Sequence, residues 1–478
     1  MIRNATLLLL PIAALTTSLS AQNRIGSGDV SELYKTYCAN CHGENLRGGQ
    51  GSSLVDGIWA HGSSDADIAR VIAEGIPQTE MVPWKHSLSE KQIRSLVIYI
   101  REQGQMAARE ALPEDAFKPK QGVFNSEKHD FTLEEVGQGE GILWAIEFLP
   151  DASMLVTQRD GVLWHFKDGE RNAIEGTPEV WQHGQGGLLE VQIHPEYAEN
   201  GWIYLGYSEN VGGKDDGKDA GMTAVVRGRI SDGKWIDQEE IYHAPEDLHS
   251  AAGAHYGTRF VFQDGYLFFG IGDRGRQDQA QELGRPNGKI HRIHDDGRIP
   301  ADNPFLDDPK ALATIWSYGH RNPQGLDAHP ETGALWEVEH GPRGGDETNL
   351  IHPGLNYGWP IATYGMNYNG TPITEFTDKD GVEAPKHYWV PSIAICGIDF
   401  YEGDKFPEWK NNLFVTGMAS QELHRLTIEG DQVVADEIVF KGQGRIRDVY
   451  SGPDGFLYIL ITQQSPRAGA IYRLKPAS

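Results

Sequence analysis

Two hydrophobic periods divide the chain into a short helical part and a much longer strand-rich part. In the first hundred residues apolar positions recur every three or four residues, which predicts amphipathic helices. One such stripe begins at Val30 and ends at Tyr37, and another begins at Ile93 behind a capping box at Ser89. Beyond about residue 131 the apolar positions alternate with polar ones, which predicts β-strands.

The strand-rich part repeats one phrase six times, a turn of Pro, Asp or Gly followed by an alternating strand. The repeats are spaced by about 60 residues, enough for four short strands and their loops, which indicates a propeller or solenoid. A two-sheet sandwich is the alternative, but it does not need a sixfold repeat. We therefore predict an all-β six-bladed propeller. In it, residues 130–136 close the ring by pairing with the last blade. The repeats begin near Pro150, Pro195, Asp264, Pro330, Pro407 and Pro453.

Composition and charge narrow the classes of function. With 42 Lys and Arg against 68 Asp and Glu, the net charge is −26, which repels phosphate backbones and argues against a nucleic-acid partner. No apolar run reaches the roughly 18 residues of a membrane-spanning helix. Residues 1–22 contain basic Arg3, a short apolar stretch and small residues, which predicts a cleaved secretory signal and a periplasmic protein. A membrane anchor is the alternative, for which the apolar stretch is too short.

The three cysteines exclude a disulfide framework, because two of them belong to one motif and Cys396 is left over. The motif is Cys38-Ala39-Asn40-Cys41-His42, the attachment pattern of c-type haem. Its two thiols can reach both vinyl groups of one porphyrin, and His42 then lies under the iron as the proximal ligand. A chance match or a redox CxxC pair is the alternative.

The surroundings of this motif resemble small class I cytochromes c over residues 24–105. A loop between the two helical stripes carries Met81, our prediction for the sixth iron ligand, which suits electron transfer. Met106, His61 and His86 are the alternatives, Met106 being expected beyond the last helix. We predict a cytochrome c domain over residues 23–105, a charged linker over 106–130 and the propeller over 131–478.

Motifs spread in order over the propeller resemble the soluble-type glucose and aldose sugar dehydrogenases that depend on pyrroloquinoline quinone (PQQ). Members of that family are six-bladed propellers, in agreement with the repeat count. The matching runs include GQGGLLEVQIHP (184–195), HYGTRFVF (255–262), IGDRG (271–275), GHRNPQG (319–325), EHGPRGGDETN (339–349), NYGWP (356–360) and GRIRDVYSGPDG (444–455).

The resemblance implies roles for residues around one site. His255 matches the base that takes the hydroxyl proton of the sugar, and Asp273 matches the carboxylate that orients it. Gln185 matches the glutamine that contacts substrate and base. Arg321 and Asn322 match the pair that grips the quinone and polarises its reacting carbonyl.

PQQ is a planar tricarboxylate, so its pocket needs cations. Arg445 and Arg447 lie at positions i and i+2 of a strand-like segment, so both side chains point to one face. Two positive charges on one face are unfavourable without an anion, which predicts an anionic ligand. By resemblance, the carbonyls of Gly341 and Pro342 bind the calcium that also holds PQQ.

The resemblance also matches Glu347 and Tyr357 to a second calcium. The chain departs from glucose-oxidising relatives at Val415–Ser420, near Ala419, where those relatives carry a PQQ-binding lysine.

Together these features predict a periplasmic quinohaemoprotein that oxidises an aldose to a lactone and passes electrons through PQQ and haem c to an external acceptor. Another sugar-derived aldehyde such as sorbosone is an alternative substrate. Two other classes remain open. One is a cytochrome fused to an eight-bladed propeller of the nitrite reductase kind. The other is a calcium-binding propeller that acts as a hydrolase or docking module.

Overall fold

The computed structural model describes residues 30–111, 120–215, 217–463 and 468–477. The signal sequence predicted over residues 1–22 and the centre of the predicted linker, residues 112–119, lie outside these ranges. Within them, no helix is long and apolar enough to cross a membrane. The helices that precede the first strand are α1 (Val30–Tyr37), α2 (Ala39–His42), α3 (Asp65–Glu74) and α4 (Glu90–Glu110).

The apolar stripes of α1 and α4 face each other and form most of the core of the helical segment. The capping box at the start of α4 is present, because Ser89 and Gln92 each accept a hydrogen bond from the backbone N–H of the other. The helix continues to Glu110, five residues past the boundary expected at residue 105. Met106, expected beyond the last helix, therefore lies inside α4 on its solvent side, 44% exposed. Good helix formers after the apolar stripe explain the extension.

The rest of the fold consists of four-stranded antiparallel sheets, six of them in the described ranges. The first strand, β1 (Phe131–Gln138), belongs to the last sheet. The remaining strands are β2 (Leu143–Phe148), β3 (Met154–Gln158), β4 (Val162–Lys167), β5 (Glu170–Ile174); β6 (Leu188–Ile193), β7 (Ile203–Asp215), β8 (Lys218–Ser231), β9 (Lys234–Tyr242); β10 (Phe260–Gln263), β11 (Tyr266–Ile271), β12 (Lys289–His294), β13 (Ile315–Tyr318); β14 (Pro323–Ala328), β15 (Leu335–Glu339), β16 (Asp346–Leu350), β17 (His387–Trp389); β18 (Ile395–Phe400), β19 (Leu413–Gly417), β20 (Glu422–Glu429), β21 (Gln432–Lys441); β22 (Arg445–Ser451), β23 (Leu457–Thr462) and β24 (Gly469–Pro476). A short helix, α5 (Tyr197–Asn200), precedes β7.

The sheets form a closed ring, which makes the fold a six-bladed β-propeller. The first strands of neighbouring blades contact one another all the way round, from β2 through β6, β10, β14, β18 and β22 back to β2. The ring is closed by β1, which pairs antiparallel with β24 from Phe131 opposite Pro476 to Gln138 opposite Ala470. The prediction that the segment before the first repeat closes the last blade is therefore confirmed. Six sheets also exclude the eight-bladed alternative.

Each of the six repeated phrases leads into the second strand of a blade. These strands are β3, β7, β11, β15, β19 and β23, and most of their residues are buried between neighbouring blades. These strands were detectable in the sequence as short apolar-rich stretches, because both faces of each strand pack against adjacent sheets. Each copy of the sequence repeat therefore corresponds to one blade.

Five of the six inner strands carry an irregularity in their pairing near the mouth of the ring. The register shifts in β2, β6, β14, β18 and β22 against the second strand of the same blade. A bulge bends the strand and changes the direction of the side chains beside it. These irregularities lie where the predicted site residues cluster.

The helical segment docks on the fourth blade and on the long connection before β17. The carboxylate of Glu102 in α4 accepts two hydrogen bonds from the Arg343 guanidinium, at 3.2 and 3.0 Å. The buried side chains of Met366 and Val390 join the apolar core of the helical segment. Because Arg343 directly follows Pro342, the docking surface lies beside one of the predicted calcium ligands.

Candidate functional site

The centre of the candidate site is an imidazole–carboxylate pair at the mouth of the propeller, in which the carboxylate is buried and the imidazole is 15% exposed. His255 lies before β10 with a φ of +55°, and Asp273 follows β11. The Nδ1 atom of His255 is 2.6 Å from Oδ1 of Asp273. Oδ1 also accepts the N–H of Gly275 at 2.7 Å, and Oδ2 accepts the indole N–H of Trp359 at 2.7 Å. This arrangement holds the imidazole proton on Nδ1 and leaves Nε2 free to accept a proton.

The electrostatic surroundings keep this pair as neutral imidazole and carboxylate. Burial, and then the charges of Arg321 and Arg274, lower the pKa of His255, while its hydrogen bond to Asp273 raises it less. Burial acts to raise the pKa of Asp273, but the hydrogen bond and the charges of His255 and Arg321 hold it below the usual value. At neutral pH the histidine is therefore available as a base.

Gln185 supports the loop that carries His255. Its side-chain Oε1 accepts the backbone N–H of His255 at 2.8 Å, and its own N–H donates to the carbonyl of Gly253 at 2.7 Å. The preceding Gly184 has a φ of +62°, and a β-carbon there would lie 2.0 Å from that carbonyl oxygen. Only glycine allows this close approach of two loops.

Arg321 and Asn322 connect the third and fourth blades. The carbonyl of Arg321 accepts the N–H of Asp273 at 2.8 Å, and its guanidinium donates to the carbonyl of His340 at 2.9 Å. The Nε of Arg321 is buried without a hydrogen-bond partner in the described ranges. The side chain of Asn322 accepts the N–H of Gly257 at 3.2 Å. Arg321 therefore retains a donor for a bound oxygen.

Arg445 and Arg447 lie on β22 and form part of a cationic basin. The guanidinium of Arg447 stacks on the ring of Trp144 at 4.2 Å, and its Nε is buried without a partner among the described residues. Burial, followed by the charges of Arg445, Arg259 and Arg159, lowers the pKa of Arg447 to about 10, against the raising effect of Cys396. Such a concentration of positive charge favours an anionic ligand.

The side chain of His340 lies among the predicted groups, although the sequence indicated only a turn there. Burial, and then the charges of Arg321, His255, Arg447 and Arg445, hold its pKa well below the usual range. The propeller thus brings together residues from the third, fourth and sixth blades around one histidine. Sequence reasoning gave no role to these residues: Trp359 and His340 lie within the matching runs NYGWP and EHGPRGGDETN, whereas Arg159 lies outside every quoted run.

Gly341 and Pro342 form a fixed turn directly after β15. The N–H of Gly341 donates to Oδ1 of Asp346 at 2.9 Å, and the carbonyl of Pro342 accepts the hydroxyl of Ser392 at 2.9 Å. A β-carbon at Gly341 would lie 2.0 Å from the carbonyl oxygen of Gly345. The turn that carries the two predicted carbonyl ligands is therefore tightly packed.

Glu347 belongs to a buried acidic cluster that the sequence did not reveal. On β15 and β16, Glu339 is opposite Glu347 and Glu337 is opposite Asn349, so all four side chains share one face. Burial and repulsion between these carboxylates raise the pKa of Glu337 and of Glu347 well above the usual value. Carboxylates packed together in this way favour a hard cation.

His320 extends this cluster. One ligand atom each from His320, Glu337 and Glu339 lies within 4.8 Å of the others. Atoms of His320, Glu337 and Asn349 are buried there without hydrogen-bond partners in the described part of the chain. Tyr357 stacks on His320, with ring centroids 4.7 Å apart, while its hydroxyl is engaged with Leu350 and His352.

The haem-attachment motif lies at the junction of α1 and α2. The Nδ1 of His42 is 2.8 Å from the carbonyl oxygen of Ser52, so the ring N–H donates there and Nε2 remains available to an iron. A β-carbon at Gly51 would lie 2.8 Å from the same ring, which requires glycine. Met81 lies partly buried on the loop between α3 and α4, and its role as sixth ligand stays a prediction.

Comparison with known proteins assigns both parts of the chain. The family model described as Glucose / Sorbosone dehydrogenase matches residues 141–473, and that described as Cytochrome C oxidase, cbb3-type, subunit III matches residues 28–100. Aldose sugar dehydrogenase YliI of Escherichia coli is 45% identical over 342 residues, which cover 70% of this chain and 90% of that protein. Quinoprotein glucose dehydrogenase B of Acinetobacter calcoaceticus is 28% identical over 410 residues, with coverages of 69% and 84%.

A solved structure is similar over the whole propeller. The crystal structure of the soluble aldose sugar dehydrogenase from Escherichia coli in the apo-form superposes with a TM-score of 0.68 and 40% identity. The superposition covers 73% of this chain and 100% of that one. The remaining quarter of this chain includes the helical segment.

Proposed function

The chain belongs to the glucose/sorbosone dehydrogenase family and carries an N-terminal cytochrome c domain, and on that premise we propose that it oxidises an aldose at the anomeric carbon to a lactone. The cofactors in this proposal are PQQ in the propeller and haem c on Cys38 and Cys41. A signal over residues 1–22 exports the protein to the periplasm. There the electrons leave through the haem to an external acceptor. The observation that carries the proposal is the oriented pair of His255 and Asp273 beside a basin of arginines.

The chemistry of the basin fits PQQ. A planar tricarboxylate needs several cationic donors, and Arg321 and Arg447 each have a buried N–H without a partner among the described residues. Arg159 contributes to the same positive field. We propose that it replaces the lysine that is absent from Val415–Ser420.

Two calcium ions are part of the proposal. The carbonyls of Gly341 and Pro342 are proposed ligands of the first, which would also hold PQQ. For the second, the ligands proposed are the carboxylates of Glu337, Glu339 and Glu347, since the hydroxyl of Tyr357 is engaged elsewhere. The crowding of these buried carboxyl groups, which raises the pKa of Glu337 and of Glu347, supports a divalent cation that would offset their charges when they ionise.

Proton removal from the sugar is the task of His255. Its neutral Nε2 accepts the proton of the anomeric hydroxyl, and Asp273 stabilises the imidazolium that forms. Gln185 fixes the backbone of the base, and Arg321 offers an N–H to an oxygen that gains negative charge. When bound, PQQ supplies the acceptor for two electrons and haem c supplies a one-electron carrier.

The test is reduction of the haem by sugar in the purified full chain, reconstituted with PQQ and calcium. We expect the α-band of ferrous haem only when both cofactors and an aldose are present, with a lactone as product. The variant His255→Ala should lose this reaction, while dithionite still reduces its haem. Normal sugar-driven reduction in that variant would show that His255 is not the base. If no aldose or sugar aldehyde reduces haem or an added dye, the dehydrogenase proposal is wrong.

A further inference from the structure

A second cluster of metal-ligating side chains lies on the second blade, outside the catalytic basin. It consists of Glu209 on β7, His243 directly after β9, and His249 on the following loop. We propose that these three side chains bind a transition-metal cation of the zinc class, and that the ion fastens the loop 243–254 to β7. The mechanism proposed above uses none of the three residues, so this site stands independently of it.

The donor atoms converge on one point. Oε1 of Glu209 lies 3.0 Å from Nδ1 of His243 and 3.0 Å from Nε2 of His249. One ligand atom from each of the three residues lies within 4.8 Å of the others. An ion entering between them replaces the two N–H protons that now point at the carboxylate, so the ligands need only small shifts.

The donor types select the class of metal. Two imidazole nitrogens and one carboxylate oxygen suit zinc and its neighbours, whereas calcium prefers oxygen ligands throughout. The imidazole rings are 5.5 Å apart between centroids and tilted by 47°, so they are not stacked on each other. Nδ1 of His249 has no hydrogen-bond partner in the described ranges, so no neighbour there locks the proton on the nitrogen that faces Glu209.

The backbone holds these ligands in place. Ser250 forms a two-way antiparallel bridge with Gly221 of β8, with N···O distances of 3.0 and 3.3 Å. The buried guanidinium of Arg274 donates to the carbonyls of Gly221 and Ala252, at 3.3 and 2.7 Å, and to that of Ala254. Because the loop is already ordered, metal binding does not have to supply the free energy of folding it.

The cluster also has an entry path and an open coordination position. His249 is buried, but the side chain of His243 is 28% exposed and that of Glu209 is 15% exposed. Three protein ligands with access to water match the pattern of zinc sites that keep their fourth position for water. The loop that would be fastened leads directly to His255, six residues after His249.

The test is a calorimetric titration of zinc chloride into the full chain, with haem attached and saturating calcium present to fill oxygen-ligand sites. We expect one zinc ion more per chain in the wild type than in Glu209→Gln or His249→Gln. Loss of a direct ligand costs more than loss of an outer partner, so affinity should fall by at least about 100-fold. His352→Gln, which removes an exposed histidine outside the cluster, should bind like the wild type.

Glu209→Gln keeps the size of the side chain. The test can therefore be read from this variant even when His249→Gln fails to fold. Far-ultraviolet circular dichroism should confirm the fold of each variant. Equal zinc stoichiometry and affinity in the wild type and both folded variants would overturn the proposal. In the wild type, zinc should also slow amide hydrogen exchange over residues 243–254, and unchanged exchange with zinc bound would refute the fastening of the loop.

Discussion

At the scale of single residues, the chemistry depends on which nitrogen of His255 carries the proton. Asp273 decides this because its carboxylate can only accept, and it is itself fixed by Trp359 and Gly275. Burial sets the protonation state, because an imidazolium in this position loses water and faces the charges of Arg321 and Arg274. Asp273 thus fixes the position of the proton, while burial is the largest cause of the low pKa of His255.

The first prediction concerns Asp273→Asn. An amide there no longer fixes the tautomer or stabilises the imidazolium, so kcat should fall by about 10²- to 10⁴-fold. Wild-type activity should decline as pH falls through the lowered pKa of His255. Since Asp273 raises that pKa, the decline should move to still lower pH in the variant. Profiles of kcat/KM against pH measure both effects.

Asp431→Asn is the matched control, because Asp431 lies in the exposed turn between β20 and β21 and has no role in the proposed mechanism. Its profile should coincide with that of the wild type. An acidic decline at the same pH in Asp273→Asn as in the wild type would contradict the coupling between the two side chains.

At the scale of elements, the pairing of neighbouring strands creates the buried acidic cluster. The pairing of β15 with β16 places Glu339 opposite Glu347 and Glu337 opposite Asn349. Like charges opposite each other destabilise a sheet, and burial increases the effect. In the proposed calcium-bound protein, the cation offsets the repulsion between these carboxylates.

The second prediction is that removal of calcium destabilises the propeller through this cluster. At about 100 times its Kd, calcium should add about 2.7 kcal/mol to the free energy of unfolding. Glu337→Gln removes one of the mutually repelling carboxyl groups, so the variant without calcium should melt above the wild type without calcium, and calcium should stabilise it less. Thermal melts with and without a chelator measure this.

The control for that experiment is Glu239→Gln, which changes an exposed carboxylate on β9. It should respond to calcium as the wild type does. An identical calcium response in Glu337→Gln would mean that the acidic cluster does not hold the ion.

At the scale of the whole molecule, the helical segment and the propeller form one packed unit. Glu102 and Arg343 join them by a bidentate ion pair, and Tyr364 stacks on Tyr388 beside it, with ring centroids 3.7 Å apart. The contact lies next to Pro342, on the side of the propeller where the candidate site opens. Docking of this kind would keep the proposed PQQ site and the proposed haem site at a constant distance from each other.

The third prediction is that Glu102→Gln slows sugar-driven reduction of the haem. Loss of a charge-assisted pair weakens docking by about 1.5–3 kcal/mol, so the two parts spend less time in contact. Turnover with an artificial dye that takes electrons directly from the propeller should not change. Stopped-flow traces at several protein concentrations measure the haem step and show whether it is intramolecular.

Glu110→Gln is the control, since Glu110 lies on the same helix but pairs with Arg47 inside the helical segment. It should leave both rates unchanged. Equal haem-reduction rates in Glu102→Gln and the wild type would show that this ion pair does not govern the transfer.

The sequence alone determined the features whose signals are local. The helical and strand periods, the haem-attachment motif and each copy of the repeated phrase occupy short stretches, and six copies of that phrase predict six blades. The position of β1 in the last blade was also predictable, since a strand left over before the first repeat has one free partner.

Only the tertiary structure decided which side chains meet. Trp359 is 86 residues from the aspartate it fixes, and Arg159 reaches the basin from another blade than Arg447. Glu337 and Glu347 become one cluster only through strand pairing, and Glu209 meets His249 only because the loop after β9 packs against β7. Sequence patterns record how a strand is buried, whereas the mouth of a propeller is assembled from loops whose neighbours are set by closure of the ring.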